Sequence, residues 1–135
     1  ATDAGPAPLC ADGDLLVTPT TDAATYAIGS APVLTVTIKN ASQAVCRRAV
    51  GPGAVELIVT SGSDRIWSSQ DCAPGGPQEL TTLRPGDQRA VRVTWAGHRS
   101  APGCSGPKAA VQPGTYRLTA QVGTLRQLGA TFHVA

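Results

Sequence analysis

The side chains best suited to redox or metal chemistry in this 135-residue chain are Cys10, Cys46, Cys72, Cys104, His98 and His133. Closely spaced thiols and imidazoles would make a zinc site, and a C-x-x-C pair would make a thioredoxin-type redox centre. The cysteines here stand far apart at irregular intervals, so neither signature is present and no metal or cofactor is expected. An even number of widely spaced cysteines predicts two structural disulfides, which persist in oxidising compartments. Three pairings are open in principle. The favoured one is Cys10–Cys46 with Cys72–Cys104. Cys10 precedes the first predicted strand and Cys46 follows the second, while Cys72 and Cys104 flank the strand that ends at Trp95. Each bridge would close a loop of more than thirty residues and contribute about 3–4 kcal/mol in the chain-entropy description.

The remaining chemistry is thin. His98 or His133 as a catalytic base would need a nucleophile in a recognisable context, and no G-x-S-x-G or comparable motif occurs. The expectation is therefore a non-enzyme without catalytic residues. Asp12-Gly13-Asp14 places two carboxylates near each other but lacks the spaced ligands and terminal Glu of a calcium loop. Asn40-Ala41-Ser42 matches a glycosylation acceptor and reads instead as a strand-end turn.

The elements that must position these residues are strands. Val33 to Asn40 alternates Leu34, Val36 and Ile38 with Thr35, Thr37 and Lys39. Further strands are predicted at Asp14 to Thr18, Cys46 to Val50, Val55 to Thr60, Arg65 to Ser68, Glu79 to Leu83 and Gln88 to Trp95. The Val55 strand carries apolar residues on both faces. Leu83-Arg84-Pro85-Gly86 and Pro113-Gly114-Thr115-Tyr116 are turn-then-strand sequences. In the last hairpin, parity pairs Tyr116 with Phe132 and Leu118 with Ala130. That register calls for a three- or five-residue loop at Gly123-Thr124-Leu125 and turns Leu128 inward. The opposite face then carries Arg117, Thr119, Gln121, Thr131 and His133. No stretch shows capped helical periodicity. The fold class is all-β: an immunoglobulin-like antiparallel β-sandwich of about seven to nine strands, stapled by two disulfides.

Residues 1–9, small and proline-containing, read as a linker or mature N-terminus, with one domain over 10–135. The net charge of +2 and the scattered basic residues argue against a nucleic-acid partner. No apolar run is long enough to span a membrane, so the domain is expected to be tethered through a preceding segment. Arg outnumbers Lys nine to two, a bias typical of a high-GC bacterium.

Ile66-Trp67-Ser68-Ser69, Leu83-Arg84-Pro85-Gly86, Trp95 and Pro113-Gly114-Thr115-Tyr116 together resemble the BsuPI-like domains. These take their name from an intracellular proteinase inhibitor of bacilli and have an immunoglobulin-like sandwich. The resemblance runs from Val55 to Tyr116. Cys10, Asp14-Leu15, Asn40 and Cys46 look like cysteine-bearing envelope domains of actinobacteria. A cytoplasmic inhibitor has no use for two disulfides, which points this version of the fold to the cell envelope. The shared motifs build the fold, and they carry protease inhibition across only as an expectation.

The expected role is protein–protein recognition of an envelope protein. The candidate surface is Ser69, Gln70 and Asp71 together with His98 and Arg99, drawn into one patch by Cys72–Cys104. Arg92 and Arg117, with Arg89, would form a basic strip if their strands are neighbours, suited to an acidic cell-wall polymer. Loop-borne protease inhibition and polymer binding are the alternatives.

Overall fold

Segments with a period-two apolar pattern pair into three sheets in a computed structural model that describes residues 7–72 and 79–135. The first sheet orders β1 (Leu15–Thr21), β3 (Val33–Asn40) and β8 (Gln88–Thr94). The second runs β2 (Thr25–Tyr26), β10 (Leu125–Val134), β9 (Gly114–Val122), β5 (Val55–Ser61) and β6 (Asp64–Ser68). A small third sheet joins β4 (Cys46–Ala49) to β7 (Leu80–Leu83). The chain crosses from β3 towards β5 and from β8 to β9, the wiring of an immunoglobulin-like sandwich. Ten strands are present among the described residues, and β2 lies parallel to β10 rather than antiparallel.

One core fills the space between the two larger sheets. Leu34, Val36, Ile38 and Val91 come from one side; Leu57, Val59, Leu118, Val122 and Phe132 come from the other. All five aromatic residues of the chain meet here. Trp95 lies 6.0 Å from Trp67, 6.4 Å from Tyr116 and 6.3 Å from Phe132, and Phe132 meets Tyr26 edge-on at 5.7 Å. Edge and offset geometries of this kind add to what the buried area contributes. The Tyr116 hydroxyl, at the start of β9, donates to the Gln112 carbonyl upstream. That closure is the tyrosine corner found in immunoglobulin-like sandwiches.

Both disulfides form as the spacing predicts, Cys10–Cys46 and Cys72–Cys104. Asn40 is fully buried: its amide donates to the Ala44 and Leu83 carbonyls, and its oxygen accepts from Ser42. It pins the end of β3 to the end of β7, which is the turn role its sequence implies. Val55, Leu57, Ile58 and Val59 are all buried, so β5 is covered on both faces.

Three expectations need correction. β1 extends beyond Thr18 to Thr21, passing through Pro19, which an edge strand tolerates. β2, in the stretch read as turns, is a strand after all. The last hairpin has a two-residue turn at Gly123-Thr124, with Leu125 paired to Val122 and Gly123 at φ 62°. The parity is restored further along by a bulge between Leu128 and Thr131, after which Phe132 faces Tyr116 as expected. Leu128 therefore points outward and is 54% exposed, and Arg126 shares that outer face.

The expected linker lies mainly outside the described residues. Its last members are docked, since Arg47 N donates to the Pro8 carbonyl and Leu9 bridges to Arg47. Gly75-Gly76-Pro77 also lies outside them. Among the described residues, no helix is long and apolar enough to cross a membrane.

Candidate functional site

The β5–β6 hairpin ends the five-stranded sheet, and a bulge between Val59 and Thr60 turns consecutive Ile66 and Trp67 towards the core. Arg65 is left on the outer side. The chain leaves β6 through Ser68, Ser69 and Gln70 to Asp71 and Cys72. Ser69 is tied back at both ends: its N–H donates to the Leu57 carbonyl, and its hydroxyl accepts from Leu57 N. Asp71 turns inward and is 4% exposed. It accepts two hydrogen bonds from Arg65, at 2.6 and 3.1 Å, and a third from the Ser100 hydroxyl.

Ser100 belongs to the long loop after β8. That loop is folded onto itself and onto the hairpin by backbone bonds: Val111 N to Gly97 O, Arg99 N to Ala109 O, and Ser100 N to Ile66 O. Trp95 donates its indole N–H to the His98 carbonyl, fixing the start of the loop to the core. Arg99 holds Asp64 at the hairpin tip through two hydrogen bonds of 2.9 and 3.1 Å. The Cys72–Cys104 bridge closes the arrangement. It therefore covers part of β6, an edge strand that would otherwise be open to pairing.

Electrostatics follow the geometry. Burial pushes the Asp71 carboxyl up, but hydrogen bonds from Arg65 and Ser100 and the charge of Arg65 outweigh it and hold Asp71 below the ordinary carboxylate range. The Arg99 hydrogen bonds lower Asp64 in the same way.

Ser69, Gln70, Asp71, His98 and Arg99 thus gather at one corner of the sandwich. Their roles divide. Ser69, Asp71 and Arg99 use their polar groups internally, so they shape the patch, and His98 is the exposed member. Arg65, Asp64 and Ser100 complete the network and were not singled out from sequence. An Arg two residues before Trp67 carries no local signal of its partner.

The basic strip does not form. Arg92 is on β8 of the three-stranded sheet, while Arg117 is on β9 of the five-stranded sheet. Both are exposed, and each points away from the core on its own sheet, so they occupy opposite outer faces. Arg89 stands on β8 with Arg92 and bonds the adjacent Gln88 carbonyl.

The Asp12-Gly13-Asp14 carboxylates are engaged by protein groups. Asp12 pairs with Arg48 at 2.8 Å and accepts from Thr124, while Asp14 accepts from Ala11 N. No group of three or more His, Cys, Asp or Glu is placed to hold a metal ion among the described residues.

No protein-family profile and no curated protein matches the chain. Solved structures do. A β-glucosidase from Erythrobacter marinus superposes with a TM-score of 0.54 at 13% identity, over 90% of this chain and 15% of that one. A β-glucosidase from Listeria innocua, in complex with gluconolactone, gives 0.51 at 15% identity over 90% and 16%. A β-glucosidase of saponin metabolism from intestinal bacteria gives 0.51 at 16% identity over 90% and 16%. The chain thus spans about a sixth of each, and the likeness is one of fold alone.

Proposed function

We infer that this domain is a non-enzymatic recognition module of an exported protein, held in a bacterial cell envelope and binding another envelope protein. Two disulfides fit an oxidising, extracytoplasmic setting. The observation that carries the reading is the pinned loop corner. Asp71, Arg65, Ser100, Arg99 and Asp64 hold two loops against each other, and Cys72–Cys104 locks them. A surface ordered in advance binds without the entropic cost of fixing its loops at the moment of contact. Exposed His98 and Lys108 stand on that corner.

The test is quantitative capture from detergent-solubilised envelope by the oxidised domain. One envelope protein should be retained by the native domain. Retention should fall with His98→Ala and with the Cys72→Ser/Cys104→Ser pair, and stay unchanged with Arg92→Ala on the far sheet. Equal retention by all four proteins would overturn the loop reading. Retention of a protease that the domain inhibits would replace it with the inhibitory role implied by the BsuPI-like resemblance.

A further inference from the structure

The outer face of the five-stranded sheet carries a shallow depression of about 550 Å³ that reaches the β5–β6 turn at Gly62 and Ser63, next to Asp64 of the loop corner. Thr60, Thr119, Thr131 and Leu128 line it, with Arg117 and Arg126 at its margins. Register fixes this layout. Arg117 lies between Thr60 and Thr131, Thr119 lies between Ile58 and Leu128, and Arg126 faces Gln121 in the next outward row. Arg117 and Gln121 are four residues apart on β9, so the two guanidinium-bearing rows are about 14 Å apart along the strand.

Two features of this face are left without partners. Neither arginine has a carboxylate partner among the described residues; Arg126 reaches only the neutral Gln121 amide oxygen, at 3.4 Å. The Glu56 carboxylate, on the same face, is engaged by Ser68 on the opposite side of β5. The other basic side chains on the face are Arg65, already paired with Asp71, and His133, bonded to Thr115. Between the arginine rows Thr119 is 1% exposed, and its hydroxyl has no hydrogen-bond partner among the described residues. A buried hydroxyl in that state costs stability unless something bonds to it.

We propose that this depression binds an acidic glycan, with two carboxylates on Arg117 and Arg126 and sugar hydroxyls on Thr60 and Thr131 beside Arg117 and on Thr119 in the row between the arginines. Arginine pairs carboxylates in bidentate geometry, and a chain of regularly repeated charges can satisfy both margins. The threonine hydroxyls both donate and accept, as sugar hydroxyls do. A peptide finds no purchase here, because β9 is hydrogen-bonded to β10 on one side and to β5 on the other. Its backbone groups are already committed to the ladder.

Calorimetric titration of the oxidised domain with a hexameric polygalacturonate is the test. Binding should weaken with added salt, and Arg117→Ala or Arg126→Ala should each weaken it about tenfold, the equivalent of one charged hydrogen bond. Thr119→Val should weaken binding without lowering the melting temperature, and Arg92→Ala should leave binding unchanged. No binding of the hexamer would overturn the proposal. So would equal affinity for a neutral glucan hexamer, for inorganic phosphate or for a hexaglutamate peptide, or an equal loss with Arg92→Ala.

Discussion

Asp71 holds Arg65 with both carboxylate oxygens, from a side chain only 3% exposed, while the guanidinium stays 40% exposed. The pair links the start of β6 to the loop beyond that strand and, through Ser100, to the loop after β8. Because the folded protein holds Asp71 below its ordinary value of 3.8, the carboxylate contributes stability above that pH. The contribution is lost as pH falls through the lower, folded-state value. Asp71→Asn should cost about 2 kcal/mol at neutral pH, the range of a charged hydrogen bond in a partly exposed pair. It should also make the acid decline shallower than in the native protein. Urea midpoints followed from neutral to acid pH check both, and an unchanged acid limb would refute the linkage.

Gly129 sits in the β10 bulge, where an added Cβ would lie 2.8 Å from the Leu118 carbonyl oxygen and 3.2 Å from that of Pro19. Both atoms are backbone in packed strands and cannot swing aside. Gly129→Ala should destabilise the domain by about 2 kcal/mol. Gly51→Ala, with nothing within 4 Å, should change it by less than about 0.5 kcal/mol. Denaturant midpoints of the two variants give the comparison.

The two disulfides close sequence separations of 36 and 32 residues and should each contribute about 4 kcal/mol. Their access differs. Cys10 and Cys46 are each 4% exposed, whereas Cys72 is open to solvent and Cys104 half-buried. A graded titration with a small thiol should open Cys72–Cys104 before Cys10–Cys46. Alkylation followed by peptide mass spectrometry reads the order directly.

Thr119→Val should raise stability by about 1 kcal/mol, since it removes a buried hydroxyl that lacks a partner. Thermal or chemical denaturation measures this without reference to any ligand. A loss of stability would mean that the hydroxyl is satisfied in the free protein.

What the sequence made legible was local. Leu34, Val36 and Ile38 alternate cleanly, and the strand they predict is the one that forms. The cysteine pairing followed from strand order. Tyr116 and Phe132 were matched by parity alone, and they do pair. Parity cannot say where along a hairpin the odd residue is absorbed, and so the shift was placed at the turn instead of at Gly129. That one displacement turned Leu128 inward and hid Arg126, and with it half of the outer-face depression. Thr25–Tyr26 forms only two pairs, with a strand more than a hundred residues away, which leaves no local periodicity to read. The separation of Arg92 from Arg117 depends on which sheet each strand joins, and alternation within a strand carries no information about that. The Arg65–Asp71–Ser100 contact is likewise a tertiary fact, written in loop residues whose spacing follows no period.

The bridges also decide how this chain transmits tension. A pull entering upstream of Cys10 passes through sulfur to Cys46, so β1, β2 and β3 are bypassed; the second bridge likewise bypasses β7 and β8 between Cys72 and Cys104. Only β4, β5 and β6 on one side, and β9 and β10 on the other, lie in the load-bearing stretches that can lengthen. Reduction would release both bypassed segments as hidden length. With both bridges oxidised the domain is a short, stiff link under load, and a thiol converts it into a long one.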